Sequence, residues 1–154
     1  MIKLIIGKKG AGKTKRLVEM VNSAAETSLG NVVCVEKGGT LTFSVTHKAR
    51  LIDADAYGIS GYGEYYGMLS GIKAGNNDIT HIFGDATLRI GTRDYDELVA
   101  FVAVMDLSDI PVLFYATHPN HRSRGYMKDA LQSVLGYLSN QKAVRTISTD
   151  IYKN

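Results

Sequence analysis

Eight residues near the N-terminus have types and a spacing suited to binding phosphate: Gly7, Lys8, Lys9, Gly10, Ala11, Gly12, Lys13 and Thr14. The three glycines allow backbone angles and a close approach that a Cβ atom would obstruct, so successive N–H groups can converge on an anion. Lys13 supplies a positive charge for the β- and γ-phosphates of a nucleotide, and the Thr14 hydroxyl is an oxygen ligand of the kind that Mg²⁺ prefers.

The segment sits between an apolar run at residues 2–6 and a helical pattern that begins near Lys13. The N-terminal end of a helix adds a positive dipole to such a site. Residues 7–14 match the Walker A pattern G-x-x-x-x-G-K-T position for position, so the chain resembles the P-loop NTPases. It is also similar to small bacterial ATP-binding proteins of the RecA-like, additional-strand type. The resemblance implies that residues 7–14 bind ATP and that Mg²⁺ is the cofactor.

A second metal-binding residue is expected at the end of another apolar strand. Asp85 follows Ile82, Phe83 and Gly84 and resembles a Walker B aspartate, although Gly84 interrupts the apolar run. Asp85 is therefore predicted to hold Mg²⁺ together with Thr14. The alternative is that Asp85 starts a turn or caps a short helix.

A glutamate that activates the attacking water commonly follows the Walker B aspartate in ATP-hydrolysing members, but Ala86 follows Asp85 here. In recombinase-like members this glutamate ends a different strand of the core, and Glu36 ends the apolar run 32–35. Glu36 is therefore the predicted catalytic carboxylate, with Asp53 and Asp55 in similar positions. An ordinary solvated carboxylate is the alternative for Glu36.

The order of predicted elements indicates an α/β protein. Strands are predicted at residues 2–6, 31–36, 79–84, 111–116 and 143–148, and helices at 13–27, 63–72, 95–107 and 127–138. Residues 41–45 and 49–52 read as two further strands that could pair as a hairpin, with a helix over 41–49 as the alternative. Asp94 and Glu97 have the spacing of a helix N-terminal cap.

Strands alternating with helices predict a three-layer α/β/α arrangement with a mainly parallel sheet, and 154 residues predict one domain spanning 1–154. The resemblance implies the P-loop NTPase fold, with a strand inserted between the P-loop strand and the Walker B strand. Thr117 ends the predicted inserted strand, where related proteins often have a polar sensor residue. All the candidate residues would lie at the C-terminal edge of the sheet.

Composition limits the other classes of function. The net charge of +3 is mild and is not a strong nucleic-acid signal. Cys34 is the only cysteine, which excludes disulfides within the chain and zinc sites built from several cysteines, and its apolar neighbours predict burial. The N-terminal apolar segment is too short for a signal sequence or a membrane span, so we expect a cytoplasmic protein that does not bind a membrane.

Two further groups have a functional and a structural interpretation. Residues 118–125 contain Arg122 and Arg124 and could close over phosphates as a lid, or form a solvated surface loop; Arg89 and Arg93 are further cations. The second group contains four tyrosines near glycines, which could stack on a base or a substrate, mediate self-association, or pack a helix: Tyr57, Tyr62, Tyr65 and Tyr66.

The sequence favours Mg²⁺-dependent ATP binding with slow hydrolysis, in which Lys13, Glu36 and Asp85 are the catalytic residues. ATP is preferred over GTP because residues 140–143 do not match the N-K-x-D element of guanine-specific proteins. Two alternatives stay open: a kinase for a nucleoside or other small molecule, and a nucleotide-dependent switch or assembly protein with little turnover. A homo-oligomer or a protein partner is compatible with each.

Overall fold

A computed structural model describes residues 2–8, 10–107, 112–118 and 147–151. Within these ranges the chain forms one six-stranded sheet in the spatial order β3-β2-β4-β5-β1-β6, and every neighbouring pair is parallel. The strands are β1 (Ile2–Lys8), β2 (Asn31–Glu36), β3 (Arg50–Asp53), β4 (Ile79–Gly84), β5 (Val112–His118) and β6 (Ile147–Ile151). The predicted α/β class with a parallel sheet is confirmed.

The described part of the chain contains one 3₁₀ helix (Asp55–Tyr57) and four α-helices: α1 (Lys13–Thr27), α2 (Tyr62–Gly75), α3 (Thr87–Ile90) and α4 (Tyr95–Leu107). None of the helices in the described part of the chain is long and apolar enough to cross a bilayer. The limits of α1, β2 and α4 are those that the sequence predicts. The predicted helix at 127–138 lies outside the described residues.

Helices cover both faces of the sheet. Successive side chains of a strand point to opposite sides, so a wholly apolar strand must be covered on each side. On β2, Val32 and Cys34 belong to a buried cluster that includes Leu17 and Val21 of α1. The alternate residues of the same strand, Val33 and Val35, belong to a second cluster formed with α2, α3 and α4. A strand buried on both faces requires the continuous apolar run seen in the sequence.

Strand β5 lies between β1 and β4 and is paired with both. This is the inserted position that the sequence resemblance predicted. Because all the strands are parallel, their C-terminal ends share one edge of the sheet. The loop after β1, Glu36 at the end of β2 and Asp85 after β4 therefore lie along the same edge.

The predicted strand at residues 41–45 and its hairpin are wrong. The amides of Ser44 and Val45 both donate to the carbonyl of Leu41, at 2.8 and 3.0 Å, and form consecutive turns. Strand β3 begins only at Arg50 and pairs in parallel with β2. The Glu36 carboxylate explains the difference, because it accepts the Leu41 amide hydrogen that a strand would use for pairing.

Three other elements differ from the sequence predictions in detail. The last strand, predicted to end at residue 148, continues to Ile151 beside β1 at the edge of the sheet, whereas the predicted start at 143–146 lies outside the described residues. The short helix α3 agrees with the alternative prediction for Asp85 only in part, because Ala86 and not Asp85 occupies its N-cap position. The N-terminal cap of α4 is confirmed at Asp94, whose carboxylate accepts the amides of Asp96 and Glu97 at 2.8 and 3.1 Å. The Glu97 carboxylate, however, bonds to the Thr92 hydroxyl, so the reciprocal bond of a capping box is not formed.

Candidate functional site

The glycine-rich loop, defined here as residues 7–14, leads from β1 into α1. Gly10 and Gly12 have φ angles of 83° and 76°, in the left-handed region that only glycine adopts readily. A Cβ atom at either position would meet no atom within 4 Å, so backbone conformation rather than lack of space requires these glycines. Lys9 lies outside the described residues.

The N-terminus of α1 is strongly cationic. Its first turn contains no acidic residue and includes Lys13, Lys15 and Arg16. The unpaired amides and the dipole of a helix N-terminus favour an anion at this position. An open pocket of about 210 Å³ lies against this end of the helix, lined by Ala11, Gly12, Lys13, Lys15, Arg16 and Glu19.

Lys13 is buried, with only 4% of its surface exposed. Burial lowers the pKa of its ammonium group, and the negative charge of Asp85 acts in the opposite direction. A buried cation is costly unless nearby charges and hydrogen bonds compensate it, because the protein interior solvates it less well than water. The Asp85 carboxyl supplies part of that compensation at Lys13.

Asp85 is also buried, at 8% exposure, and directly follows β4. Its backbone amide donates to the Val35 carbonyl at 2.8 Å, which attaches the residue to β2. The Thr14 hydroxyl of the glycine-rich loop is near enough to lower the pKa of this carboxyl. Two residues that are far apart in the sequence thus lie close together at the edge of the sheet.

The pKa of Asp85 is raised, mainly by burial and further by the nearby charge of Glu36. Hydrogen bonds from the Ala86 amide and the Thr14 hydroxyl, and the charge of Arg89, oppose this rise. A carboxylate in such surroundings gains from a bound cation, because the cation compensates its charge.

The Thr14 hydroxyl and the Asp85 carboxylate are a donor set that fits Mg²⁺, which prefers oxygen ligands and retains several waters. Within the described residues, no group of three or more His, Cys, Asp or Glu side chains could hold a metal ion by itself. Any metal held here would therefore take its remaining ligands from water or from a phosphate.

Glu36 is 1% exposed and its carboxylate binds the start of the following loop. Its Oε2 atom accepts hydrogen bonds from the Thr40 amide at 2.7 Å, the Leu41 amide at 2.9 Å and the Thr40 hydroxyl at 3.0 Å. Its Oε1 atom lies 3.2 Å from the same Leu41 amide. Glu36 is therefore not the solvated surface carboxylate that was its alternative interpretation, and its carboxylate is not accessible to solvent.

The alternative carboxylates, Asp53 and Asp55, also have local partners. The Oδ1 atom of Asp53 accepts the amides of Gly38 and Asp55 at 2.8 and 3.0 Å. Asp55 forms an ion pair with Lys37 at 2.7 Å. These contacts join the loops after β2 and β3.

The four tyrosines do not form one cluster. Tyr62 and Tyr65 are buried and stack on Phe101 of α4, with ring centroids 4.9 and 5.3 Å apart, and Tyr66 packs against the same cluster. Helix packing is thus confirmed for three of them. Tyr57 differs, with 68% of its surface exposed beside the edge of the sheet.

Arg89 lies at this edge of the sheet, a position that no sequence motif predicts. It belongs to α3, which begins two residues after Asp85. Thr117 pairs with Gly7 in the register of β5 and β1, so its backbone lies beside the glycine-rich loop. Arg122 and Arg124 lie outside the described residues.

The comparisons with known proteins add no relative. No family model matches the sequence, and no curated protein matches it significantly.

Proposed function

We propose that this chain is a P-loop nucleotide-binding protein that binds Mg²⁺-ATP and hydrolyses it slowly. The observation that carries the proposal is the buried Asp85 carboxyl beside the glycine-rich loop, where the Thr14 hydroxyl lowers its pKa and its charge acts on the buried ammonium group of Lys13. The Walker A pattern predicts the cation and the hydroxyl, and the fold adds the carboxylate that the same chemistry requires.

In this proposal the amides of residues 10–13 and the Lys13 ammonium group bind the β- and γ-phosphates. The left-handed conformations of Gly10 and Gly12 support this role, because alternating backbone conformations turn successive amides toward one anion. The cationic first turn of α1 adds to the same potential.

Thr14 and Asp85 would hold Mg²⁺, which supplies positive charge that neutralises the phosphate oxygens. Asp85 and Glu36 raise the local negative charge in the absence of the cation, which favours its binding. The ATP preference rests on the sequence, in which the guanine-specific element is not matched.

Slow turnover follows from the surroundings of Glu36. A general base must reach the proton of the attacking water, within about 3 Å or through one further water. The buried Glu36 carboxylate instead accepts hydrogen bonds from Thr40 and Leu41. The same observation favours a second candidate function, a nucleotide-dependent switch that binds ATP with almost no hydrolysis.

A binding titration of the purified chain with ATP, with Mg²⁺ and with a chelator, tests the proposal. Lys13→Ala should weaken ATP binding at least about tenfold, because it removes a charged hydrogen-bond donor to phosphate. Asp85→Asn should reduce the gain in affinity that Mg²⁺ gives to the wild type. Lys48→Ala is the matched control, since Lys48 is exposed and pairs with Glu26 on the surface.

Phosphate release measured on the same samples separates the two candidate functions. Slow release that Lys13→Ala abolishes supports an ATPase, and binding without release supports a switch. The proposal is wrong if the wild type binds neither ATP nor GTP at millimolar concentrations, or if Lys13→Ala binds as well as the wild type.

A further inference from the structure

One large apolar side chain of the loop after β2 is open to solvent. Phe43 is 101% exposed, and the residues on either side of it, Thr42 and Ser44, are polar and also exposed. Single exposed apolar residues are common on protein surfaces and need no function by themselves. Phe43 differs from such residues in how its loop is held and in the charges that surround it.

The backbone is anchored on both sides of Phe43. Before it, the buried carboxylate that ends β2 accepts the amides of residues 40–41. After it, the Asn22 side chain of α1 donates to the Ser44 carbonyl at 2.9 Å and accepts the Thr46 amide at 2.8 Å. Because both anchors belong to packed elements, the ring is presented in a fixed place, and a ligand that packs on it orders little additional backbone.

The segment that carries Phe43 is positively charged. Residues 37–50 contain two lysines and one arginine, but no aspartate or glutamate. Lys37 and Lys48 pair on the surface with carboxylates outside the segment. Arg50 is exposed and forms no ion pair within the described residues. Surface ion pairs are weak, so a polyanion can compete for both lysines as well as bind the arginine.

The cations follow the ring along one side of the molecule. Asn22, which binds the loop beside Phe43, and Glu26, which pairs with Lys48, are one turn apart on α1, a distance of about 6 Å. Arg50 comes two residues after Lys48 and begins β3, which is the edge strand of the sheet. An exposed ring and a row of cations therefore lie together beside α1 and the edge of the sheet.

We propose that this surface, formed by Phe43, Lys48 and Arg50, binds a single-stranded nucleic acid. The ring stacks on an unpaired base, and the two cations bind the adjacent phosphates. A protein partner fits less well, because protein interfaces are centred on clusters of apolar residues and the neighbours of Phe43 are polar. The net charge of the whole chain is only +3, but the charge that acts on a bound strand is the local one.

Fluorescence anisotropy with a labelled oligothymidylate of about 15 nucleotides, at low salt, tests the proposal. Phe43→Ala should weaken binding about tenfold, because a base loses its stacking partner, whereas Phe43→Tyr keeps a ring and should bind within about twofold of the wild type. Arg50→Ala should reduce the slope of log affinity against log salt concentration by about one. Tyr57→Ala is the matched control, since Tyr57 is an exposed aromatic residue outside this surface.

Other ligands define the chemistry of the bound strand. A duplex of the same length should bind more weakly and should lose no affinity in Phe43→Ala, because its bases are already stacked on one another. An oligouridylate separates RNA from DNA, and a Phe43-dependent affinity for either single strand supports the proposal. Absence of binding by the wild type at low salt, or an equal loss of single-strand and duplex affinity in Phe43→Ala, overturns it.

Two further measurements exclude other occupants. Lys13→Ala should bind the oligonucleotide like the wild type, because Asn22 lies nine residues beyond Lys13 on α1, about 13 Å away. A loss of binding in Lys13→Ala would place the strand on the glycine-rich loop and overturn the inference. Sedimentation showing a dimer that Phe43→Ala abolishes would instead assign the ring to a second copy of the chain. Phe43 is exposed, so unchanged thermal unfolding of both Phe43 variants verifies that they fold.

Discussion

Replacing Glu36 tests whether its carboxylate holds the loop that follows β2. Glu36→Ala removes the acceptor of two backbone amides and one hydroxyl, in a residue that is 1% exposed. The Leu41 amide lies in the protein interior, where water cannot replace the lost acceptor. The two Thr40 donors are partly accessible, so water can compensate part of their loss.

The expected loss in the free energy of unfolding follows from these three hydrogen bonds. A hydrogen bond to a charged group contributes about 1.5–3 kcal/mol, and a buried donor left without an acceptor costs about 1–3 kcal/mol. Removing a buried charge close to Asp85 offsets part of this loss. We expect Glu36→Ala to lower the free energy of unfolding by about 3 kcal/mol and Glu36→Gln by about half as much, since the amide retains one oxygen but no charge.

Urea and thermal denaturation followed by circular dichroism measure this effect. A loss of about 3 kcal/mol lowers the midpoint temperature by about 6–12 °C in a protein of this size. Glu26→Ala is the matched control, because Glu26 forms an exposed ion pair with Lys48 and its loss should cost less than about 1 kcal/mol.

Two results would refute the reasoning. If Glu36→Ala unfolds within about 1 kcal/mol of the wild type, as the surface control does, the carboxylate does not hold the loop. If Glu36→Gln keeps its stability and its ATP affinity but loses phosphate release, Glu36 acts on the attacking water instead of on Thr40 and Leu41.

Two further predictions concern Cys34 and Asp94. Burial, with smaller effects from Asp85 and Glu36, raises the pKa of the Cys34 thiol from 9.0 to about 12. Between pH 8 and pH 10 the unfolded chain loses this proton and the folded protein keeps it, so wild-type stability should fall by about 1.4 kcal/mol relative to Cys34→Ala. Urea denaturation at both pH values measures the difference, and one that is constant with pH would contradict the burial of the thiol. Asp94→Ala should cost about 1 kcal/mol, because Asp94 caps α4. Thermal unfolding should show a smaller loss for Asp96→Ala, and equal losses would contradict a specific cap.

Local signals in the sequence were sufficient for several elements. The helix at Lys13–Thr27 follows from its apolar spacing, and the strand at Asn31–Glu36 follows from its uninterrupted apolar run. These signals are reliable because the spacing of apolar residues along the chain indicates which faces of a helix or strand are buried. The same reasoning failed at residues 41–45, where alternation resembled a strand but only Leu41 is fully buried. The Glu36 carboxylate at the end of the preceding strand accepts the amides of Thr40 and Leu41, and the spacing of apolar residues carries no information about these hydrogen bonds.

The sequence by itself determined the glycine-rich motif at residues 7–14, the parallel α/β class and most of the residues on which the proposed chemistry depends. These depend on residue type and on spacing over a few positions, where steric limits and backbone hydrogen bonding act locally. The tertiary structure alone decided that Asp85 lies beside Thr14 and that the Arg89 side chain lies near Gly38. Such contacts depend on strand order, because the packing of the whole sheet brings together groups that the chain keeps far apart.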